Sequence, residues 1–334
     1  MKIMVVGGSG FVGKTLLQKL LSLEHEVTNV DLISSNMFHP SLKEAICDIA
    51  HFSMTETYDV VINCAATVPI SRSRKRFFHS NIEGNEHLLS ESYKRGTNHY
   101  IYVSSSAVYG IPTDNPITCQ SLKSPFEAYG KTKLIAEGSC KSFSGNGMKI
   151  SIIRPRTIAG RGRMGVFSIL FDLILEGGKI PLINQGKNRF QFIDVSDVVE
   201  AISMTVEYGV EVEINIGSID SPMMRDVIQY LISTSGSTAT FVNIPKSIML
   251  IFRIFSKFRI LPFAPYQLRM YGEEFYFDAR EYDRVIPWRP KVTTAEAVLK
   301  AFEVYKSERL ESSRGLSPHS KGMNSLIVRL WSKF

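Results

Sequence analysis

Short apolar runs alternate with amphipathic segments along most of the chain. The apolar runs have the length expected of buried strands, and they recur at residues 2–6, 26–31, 59–63, 99–104 and 149–154. Between them, apolar residues follow a helical spacing. Alternating strands and helices predict a parallel sheet with helices on both faces, so we expect an α/β fold with a doubly wound parallel sheet. In such sheets, ligands bind beyond the carboxyl ends of the strands.

A glycine-rich turn follows the first apolar run. Gly7, Gly10 and Gly13 lie between this run and an amphipathic segment, and glycines there let backbone N–H groups approach a pyrophosphate. Asp31 ends the second run, 21 residues after Gly10. A carboxylate at that position pairs with a ribose 2′-hydroxyl and repels a 2′-phosphate. No Arg or Lys occurs at residues 32–34, so the pattern favours NAD over NADP.

A tyrosine and a lysine four residues apart form the third signal. Tyr129 and Lys133 lie one turn apart on one face of a predicted helix. The ammonium group lowers the pKa of the phenol, which is otherwise about 10, towards working pH. A serine from the Ser-rich segment at 103–110 can share a hydrogen bond with a substrate alcohol or carbonyl. These groups predict proton transfer in the oxidation of an alcohol, with a hydride acceptor beside them.

Further short motifs follow in order along the chain. They are Asp48-Ile49, Asn63-Cys64-Ala65-Ala66, Asn81-Ile82-Glu83-Gly84, Arg154-Pro155 with the residues to Gly160, and Phe192-Ile193-Asp194-Val195. Together with the glycine turn and the Tyr-Lys pair, they resemble the extended short-chain dehydrogenase/reductase family over residues 1–302. That family contains sugar-nucleotide epimerases and dehydratases.

The resemblance implies a Rossmann domain and a smaller, mixed α/β substrate lobe. We expect the NAD-binding domain at 1–165 with 192–218 returning to it, the substrate lobe at 166–191 and 219–304, and a basic amphipathic tail at 305–334. The family's catalytic Ser or Thr stands four residues before the Tyr of a Val-Tyr-Gly turn. The implied catalytic residues are therefore Ser105, Tyr129 and Lys133.

The resemblance also implies binding residues. Those for the cofactor are Gly7, Gly10, Phe11, Val12, Gly13, Asp31, Asp48, Ile49, Ala65, Ala66, Asn81, Tyr129, Lys133 and Pro155. Those for the substrate are Ser106, Thr157, Arg189 and Arg269. The family's dehydratases place Asp and Glu directly after the catalytic Thr, and its decarboxylases keep the Glu. Ser106 and Ala107 occupy these two positions here, which disfavours both reactions.

We therefore expect NAD-dependent C4 epimerisation of a diphospho-sugar through a 4-keto intermediate, in surface polysaccharide synthesis. The sugar could be nucleotide-linked or polyprenyl-linked. One alternative is an NAD-dependent dehydrogenase or reductase of a hydroxylated apolar substrate, such as a steroid or an isoprenoid alcohol. Another is a non-catalytic NAD-sensing protein, which the presence of both Tyr129 and Lys133 disfavours.

Composition narrows the setting of this chemistry. The 334 residues are 44% hydrophobic and carry a formal charge of +7, but no nucleic-acid motif accompanies that charge. No apolar run reaches the ~18 residues of a membrane span, and the four cysteines lack metal-ligand spacing. We expect no metal and a cytoplasmic location. The family resemblance implies a homodimer, paired through the helices that carry Tyr129 and Asn81.

Two basic amphipathic segments favour a peripheral contact with the inner face of the cell membrane. One covers residues 246–257, and the other lies within the tail at 321–334. Such a contact would suit a polyprenyl-linked substrate. The alternatives are a buried helix for the first segment, and packing on a partner subunit or disorder for the second.

Overall fold

The computed structural model describes residues 1–67, 78–145, 147–160, 167–245, 270, 272–278, 281 and 285–314, with side chains up to residue 310. Arg269, the basic segment at 246–257 and the tail from residue 315 lie outside the described residues. None of the helices within these ranges is both long and apolar enough to cross a bilayer.

The structure contains the parallel sheet that the apolar runs predict. The strands are β1 Lys2–Val6, β2 Glu26–Asp31, β3 Leu42–Ile46, β4 Val60–Asn63, β5 His99–Val103, β6 Lys149–Pro155, β7 Thr157–Ala159, β8 Lys179–Ile183, β9 Phe192–Asp194, β10 Glu213–Ile216 and β11 Thr240–Ile244. Seven of them pair in the order β10-β6-β5-β4-β1-β2-β3, and all six pairings are parallel. This order, with flanking helices, confirms the predicted doubly wound α/β fold.

Two strands of this sheet, β3 and β10, are not among the five apolar runs, and of these β10 falls in the segment 192–218 that is expected to return to this domain. β3 has the sequence LKEAI, and it leaves Lys43, Glu44 and Ile46 exposed. The strand lies at the edge of the sheet, where it pairs with β2 alone within the seven-stranded order. An edge strand buries fewer side chains than a central one, so its sequence carries no continuous apolar run.

The helices lie between the strands as the alternation predicts. They are α1 Phe11–Ser22, α2 Gly84–Lys94, α3 Ala128–Phe143, α4 Phe167–Leu175, α5 Val195–Tyr208, α6 Met224–Ser235 and α7 Thr294–Arg314. α1 packs against α5, and Lys19 pairs with Glu200 at 2.9 Å. α2 packs against α3, over core side chains that include Tyr100, Tyr102 and Leu88.

Two compact units divide the described chain. The first contains Met1–Ile158, Val195–Ile219 and Phe277–Lys291, and therefore the whole seven-stranded sheet. The second contains the described residues of 159–194, 220–276 and 292–314. In it, β8 pairs in parallel with β11, and Phe171 packs against Phe302 with ring centroids 5.3 Å apart. The assignment of the second unit to the substrate stays a prediction.

A buried ion pair attaches α3 to the sheet. Nε and Nη2 of Arg154 on β6 donate to the two carboxylate oxygens of Glu137 on α3, each at 2.7 Å. Ser104, directly after β5, donates to the same carboxylate at 2.6 Å, and Arg154 also donates to Glu213 on β10 at 2.5 Å. Burial raises the pKa of Glu213, but hydrogen bonds from Lys141 and Arg154 outweigh that effect and lower it to about 2. These contacts hold one helix against three strands.

Removing the Glu137 carboxylate should therefore destabilise the protein strongly. Glu137→Ala leaves the fully buried Arg154 guanidinium without its bidentate partner, and such a loss typically costs about 3–5 kcal/mol of unfolding free energy. Glu56→Ala is the control, because it breaks a half-exposed pair with Lys2 and should cost about 1 kcal/mol or less. Denaturant unfolding measures both. Equal losses in the two variants would contradict this account of the ion pair.

Candidate active site

Parallel strands bring the predicted catalytic and cofactor residues to one edge of the sheet. At or just beyond the carboxyl ends of β1 to β6 lie, in turn, Gly7, Asp31, Asp48, Ala65, Ser105 and Pro155. All six belong to the first unit. This edge is where a cofactor and proton-transfer groups can meet.

The glycine turn between β1 and α1 has the shape of a phosphate cradle. Gly7 has φ = +79°, and a Cβ there would lie 2.7 Å from Cα of Ala65. A Cβ on Gly13 would lie 2.1 Å from the carbonyl oxygen of Gly7. Gly10 precedes the first turn of α1, which begins with Phe11 and contains no acidic residue. The absence of side chains lets the turn approach a pyrophosphate at the helix N-terminus, so the residues fit the predicted dinucleotide.

The Asp31 carboxylate is fixed beside this turn. Oδ2 accepts a hydrogen bond from the backbone N–H of Ser9 at 2.9 Å, and Oδ1 accepts one from the N–H of Leu32 at 2.7 Å. Each oxygen keeps a further lone pair for a ribose hydroxyl. The sequence analysis identified Asp31 but not Ser9, whose contact with the carboxylate depends on how the turn folds.

Asp48 and Ile49 lie beyond β3, where a short 3-10 helix begins. Asp48 Oδ1 accepts from the N–H of Ala50 at 3.0 Å, and Oδ2 lies 2.9 Å from Nε2 of His79. The other ring nitrogen of His79 lies 2.9 Å from Glu83. Glu83 and Asp48 raise the pKa of His79, since only a protonated imidazole can donate from both nitrogens. The sequence motifs did not point to His79.

Asn81 connects the segment that follows β4 to α3. It is buried in a π-helical turn, His79–Glu83, and its Oδ1 accepts from the backbone N–H of Thr67 at 2.9 Å. Its Nδ2 donates to Oγ1 of Thr132 on α3 at 3.0 Å. Ala65 and Ala66 therefore lie in a segment that is fixed from the α3 side. Turns of π-helix are frequent at functional sites.

Lys133 is buried within α3, and its ammonium points towards the end of β5. Nζ donates to the carbonyl oxygen of Val103 at 2.7 Å and lies 4.5 Å from the ring centroid of Tyr102. Burial lowers the pKa of Lys133 to about 8, although Glu137, one turn further along, favours the charged form. The ammonium therefore persists at neutral pH and is lost as the pH rises above about 8.

The first turn of α3 packs directly on the segment that carries Ser105. Glu127 caps the helix by accepting from the N–H groups of Tyr129 at 2.7 Å and Gly130 at 2.6 Å. A Cβ on Gly130 would lie 2.4 Å from the carbonyl oxygen of Ala107. The N–H of Ala107 in turn donates to Oγ of Ser105 at 3.2 Å. Ser105 and Tyr129 are thus on two backbone segments in close contact.

Ser106 and Thr157, both predicted to face the substrate, share an arginine that the sequence analysis did not identify. Nη1 of the buried Arg156 donates to Oγ of Ser106 at 3.2 Å and to Oγ1 of Thr157 at 3.0 Å. Arg156 follows Pro155, the last residue of β6. The Arg-Pro motif indicates only the end of the strand and does not single out the arginine that follows it.

Arg189 is also predicted to bind the substrate, and its position is described. It lies in the second unit, where Nε donates to the carbonyl oxygen of Ser221 at 2.9 Å and the guanidinium lies 4.9 Å from the ring centroid of Tyr276. Its role towards a substrate stays a prediction. Among the described residues, no group of three His, Cys, Asp or Glu side chains could hold a metal ion.

The chain is similar to one known protein family and to several named relatives. The model of the NAD dependent epimerase/dehydratase family matches residues 3–217. A 3-beta-hydroxysteroid dehydrogenase of Mycolicibacterium neoaurum is 27% identical over 62% of this chain and 61% of its own length. An N-acetyl-alpha-D-glucosaminyl-diphospho-ditrans,octacis-undecaprenol 4-epimerase of Escherichia coli O157:H7 is 29% identical over 60% and 61%. The chain thus spans about three fifths of each of these relatives.

A solved structure shares the fold over more of the chain. UDP-glucuronic acid 4-epimerase from Bacillus cereus, in complex with NAD, superimposes with a TM-score of 0.75 at 21% identity. The match covers 92% of this chain and 99% of that one. The similarity therefore includes most of the second unit as well as the sheet.

The Asp31 carboxylate gives a direct test of the cofactor site. Asp31→Ala should weaken NAD binding about 10- to 100-fold, because it removes charge-assisted hydrogen bonds to the ribose, and it should narrow the preference for NAD over NADP. Dissociation constants for the two cofactors, measured by calorimetry, check this. If the unmutated protein binds NADP as well as NAD, Asp31 does not occupy the ribose-binding position.

Proposed function

Because the chain belongs to the NAD-dependent epimerase/dehydratase family, we propose that it epimerises C4 of a diphospho-sugar through a 4-keto intermediate. The observation that carries the proposal is the packing of the first turn of α3, with Tyr129 and Lys133, on the Ser105 segment. We further propose that the product serves surface polysaccharide synthesis.

The residues after Ser105 favour epimerisation over elimination. Ser106 is buried and accepts from Arg156, and Ala107 is buried beneath Gly130. Neither side chain can donate or accept a proton as a carboxylate would. The site thus lacks, at these two positions, the acid and base that water elimination or decarboxylation would use.

In the proposed mechanism, three side chains together move the proton of the sugar 4-hydroxyl. Tyr129, as phenolate, accepts the proton of the sugar 4-hydroxyl, while Ser105 donates a hydrogen bond to the same oxygen. Lys133, held by the Val103 carbonyl, stabilises the phenolate electrostatically. NAD, when bound, would accept hydride from C4 and return it to the opposite face of the 4-keto sugar, so that no net oxidation occurs. Tyr129 would give its proton back to the same oxygen as the hydroxyl is restored.

The sugar of the proposed substrate is linked through its diphosphate either to a nucleotide or to a polyprenyl chain. A nucleotide-linked substrate would use Arg189 and Arg269 for its diphosphate. The undecaprenol-linked relative supports a polyprenyl-linked substrate. In that form, the basic segments at 246–257 and 321–334 would bring a cytoplasmic enzyme to the inner face of the membrane.

A homodimer is part of the same proposal. Tyr93 on α2 and Ile135 on α3 are about half exposed, although both are large apolar side chains. The two helices pack together, so these side chains belong to neighbouring elements of one surface. Pairing of two such surfaces would bury them, and it would do so on the helix that carries Tyr129.

A second candidate is net oxidation or reduction of a hydroxylated apolar substrate. The similarity to a steroid dehydrogenase favours it, and the same three side chains would serve. It differs in its cofactor cycle, because each turnover would leave the cofactor changed and require its exchange. A purely NAD-sensing role would need neither Tyr129 nor Lys133.

Tyr129→Phe should abolish turnover and leave NAD binding nearly intact, since only the proton acceptor is removed. A positioned acid–base group typically contributes about 10²–10⁴-fold. C4 epimerisation of UDP-N-acetylglucosamine and of its undecaprenyl-diphosphate counterpart would be followed separately. Tyr208→Phe is the control, because this exposed tyrosine ends α5. Residual activity above a tenth of the unmutated rate would contradict the role of Tyr129.

A further inference from the structure

Donor groups converge on one carboxylate, that of Glu44, which lies on β3 opposite Asn29 of β2. Ser34 Oγ donates to Oε2 at 2.5 Å, and the backbone N–H of Ser35 donates to Oε1 at 2.8 Å. The Ser35 hydroxyl and Nδ2 of Asn29 also donate to Oε1. Residues 34–36, which follow β2, form a tight turn. In it, Asn36 has φ = +58° and donates its N–H back to Ser34 Oγ. Four donors thus surround one anion.

This turn adjoins the carboxylate that the proposed function assigns to the cofactor ribose. Asn29 Nδ2 lies 3.1 Å from Oγ of Ser9, and the N–H of Ser9 donates to Asp31. The Ser9 hydroxyl donates to the carbonyl oxygen of Ile33 at 2.6 Å, which ties the start of the turn to the glycine loop. Asp31 and Glu44 are therefore linked through Ser9 and Asn29.

The donors around Glu44 are of the kind that binds a phosphate. Serine hydroxyls, a backbone N–H and a side-chain amide are all neutral donors, and phosphate oxygens accept from each of them. NADP differs from NAD by a phosphate on the ribose 2′-oxygen, so this group would project from the Asp31 end of the site. In this chain those donors are occupied by the protein's own anion, Glu44, which the hydrogen bonds of Asn29 and Ser9 connect to Asp31.

We propose that Glu44 is a second specificity-determining residue, which excludes NADP by filling the donor cluster of residues 34–35 and by repelling a 2′-phosphate. The inference rests on the proposed use of NAD with Asp31 at the ribose. Partial desolvation of the exposed Glu44 carboxylate raises its pKa, but hydrogen bonds from Ser34, Ser35 and Asn29 outweigh this effect and lower it to about 2. Glu44 therefore carries its charge throughout the neutral range.

Competition between the two cofactors tests this proposal. The full chain is equilibrated with equal excesses of NAD and NADP, and the bound cofactor is identified by native mass spectrometry. Glu44→Gln keeps the length of the side chain but removes its charge. Because a phosphate monoester carries about −1.5 to −2 charges at pH 7, the ratio of bound NADP to bound NAD should rise about tenfold. Asp31→Ala combined with Glu44→Gln should raise it further than Asp31→Ala alone.

Two other variants distinguish the effect of the Glu44 charge from a general effect of substitution on cofactor binding. Glu44→Asp keeps the charge and should keep the preference for NAD. Glu56→Gln removes a carboxylate that pairs with Lys2 and Lys43. Neither of these pairs involves the donors of residues 34–35, so this variant should leave the ratio unchanged. An unchanged ratio in Glu44→Gln, an equal shift in Glu44→Asp, or loss of both cofactors from Glu44→Gln would overturn the role of Glu44. Failure of the unmutated protein to bind either cofactor would instead overturn the proposed function.

Discussion

The buried pair between Arg154 and Glu137 is the interaction on which the arrangement of the candidate site depends. It joins β6 to α3, and Ser104 extends it to the end of β5. Lys133 lies one turn before Glu137 and Tyr129 one turn before that. A shift of α3 along the sheet would therefore move both groups relative to Ser105. A buried charge pair is costly to form, but once formed it admits few other geometries.

Electrostatics at the site follow from the same burial. Lys133 is buried, and its ammonium donates to the Val103 carbonyl and lies over the ring of Tyr102. Such an environment disfavours the charged form, as the lowered pKa indicates. It also strengthens the attraction between this charge and a phenolate, because fewer water molecules screen it. Burial thus causes both the lowered pKa of Lys133 and its stronger attraction to a phenolate, and both effects support its proposed role beside Tyr129.

Sequence patterns predict the parts of this molecule that are local. Apolar runs indicate five central strands, and short motifs bring Asp31, Ser105, Tyr129 and Lys133 to one edge. β3 has no apolar run, because an edge strand buries too little. The contacts of Arg156 with Ser106, of His79 with Asp48 and of Glu44 with Ser34 were not predicted either. Each joins polar residues at spacings that no helix or strand period encodes, and such pairs form only when loops have folded.

The proposed cycle returns the cofactor to its starting state within each turnover, so NAD does not need to dissociate between turnovers. A dehydrogenase must exchange its cofactor after every reaction. Native mass spectrometry of the purified, desalted protein distinguishes these cases. The account predicts close to one NAD retained per chain, and the same occupancy in Tyr129→Phe. Complete loss of NAD on desalting would contradict an internal redox cycle and favour a dehydrogenase.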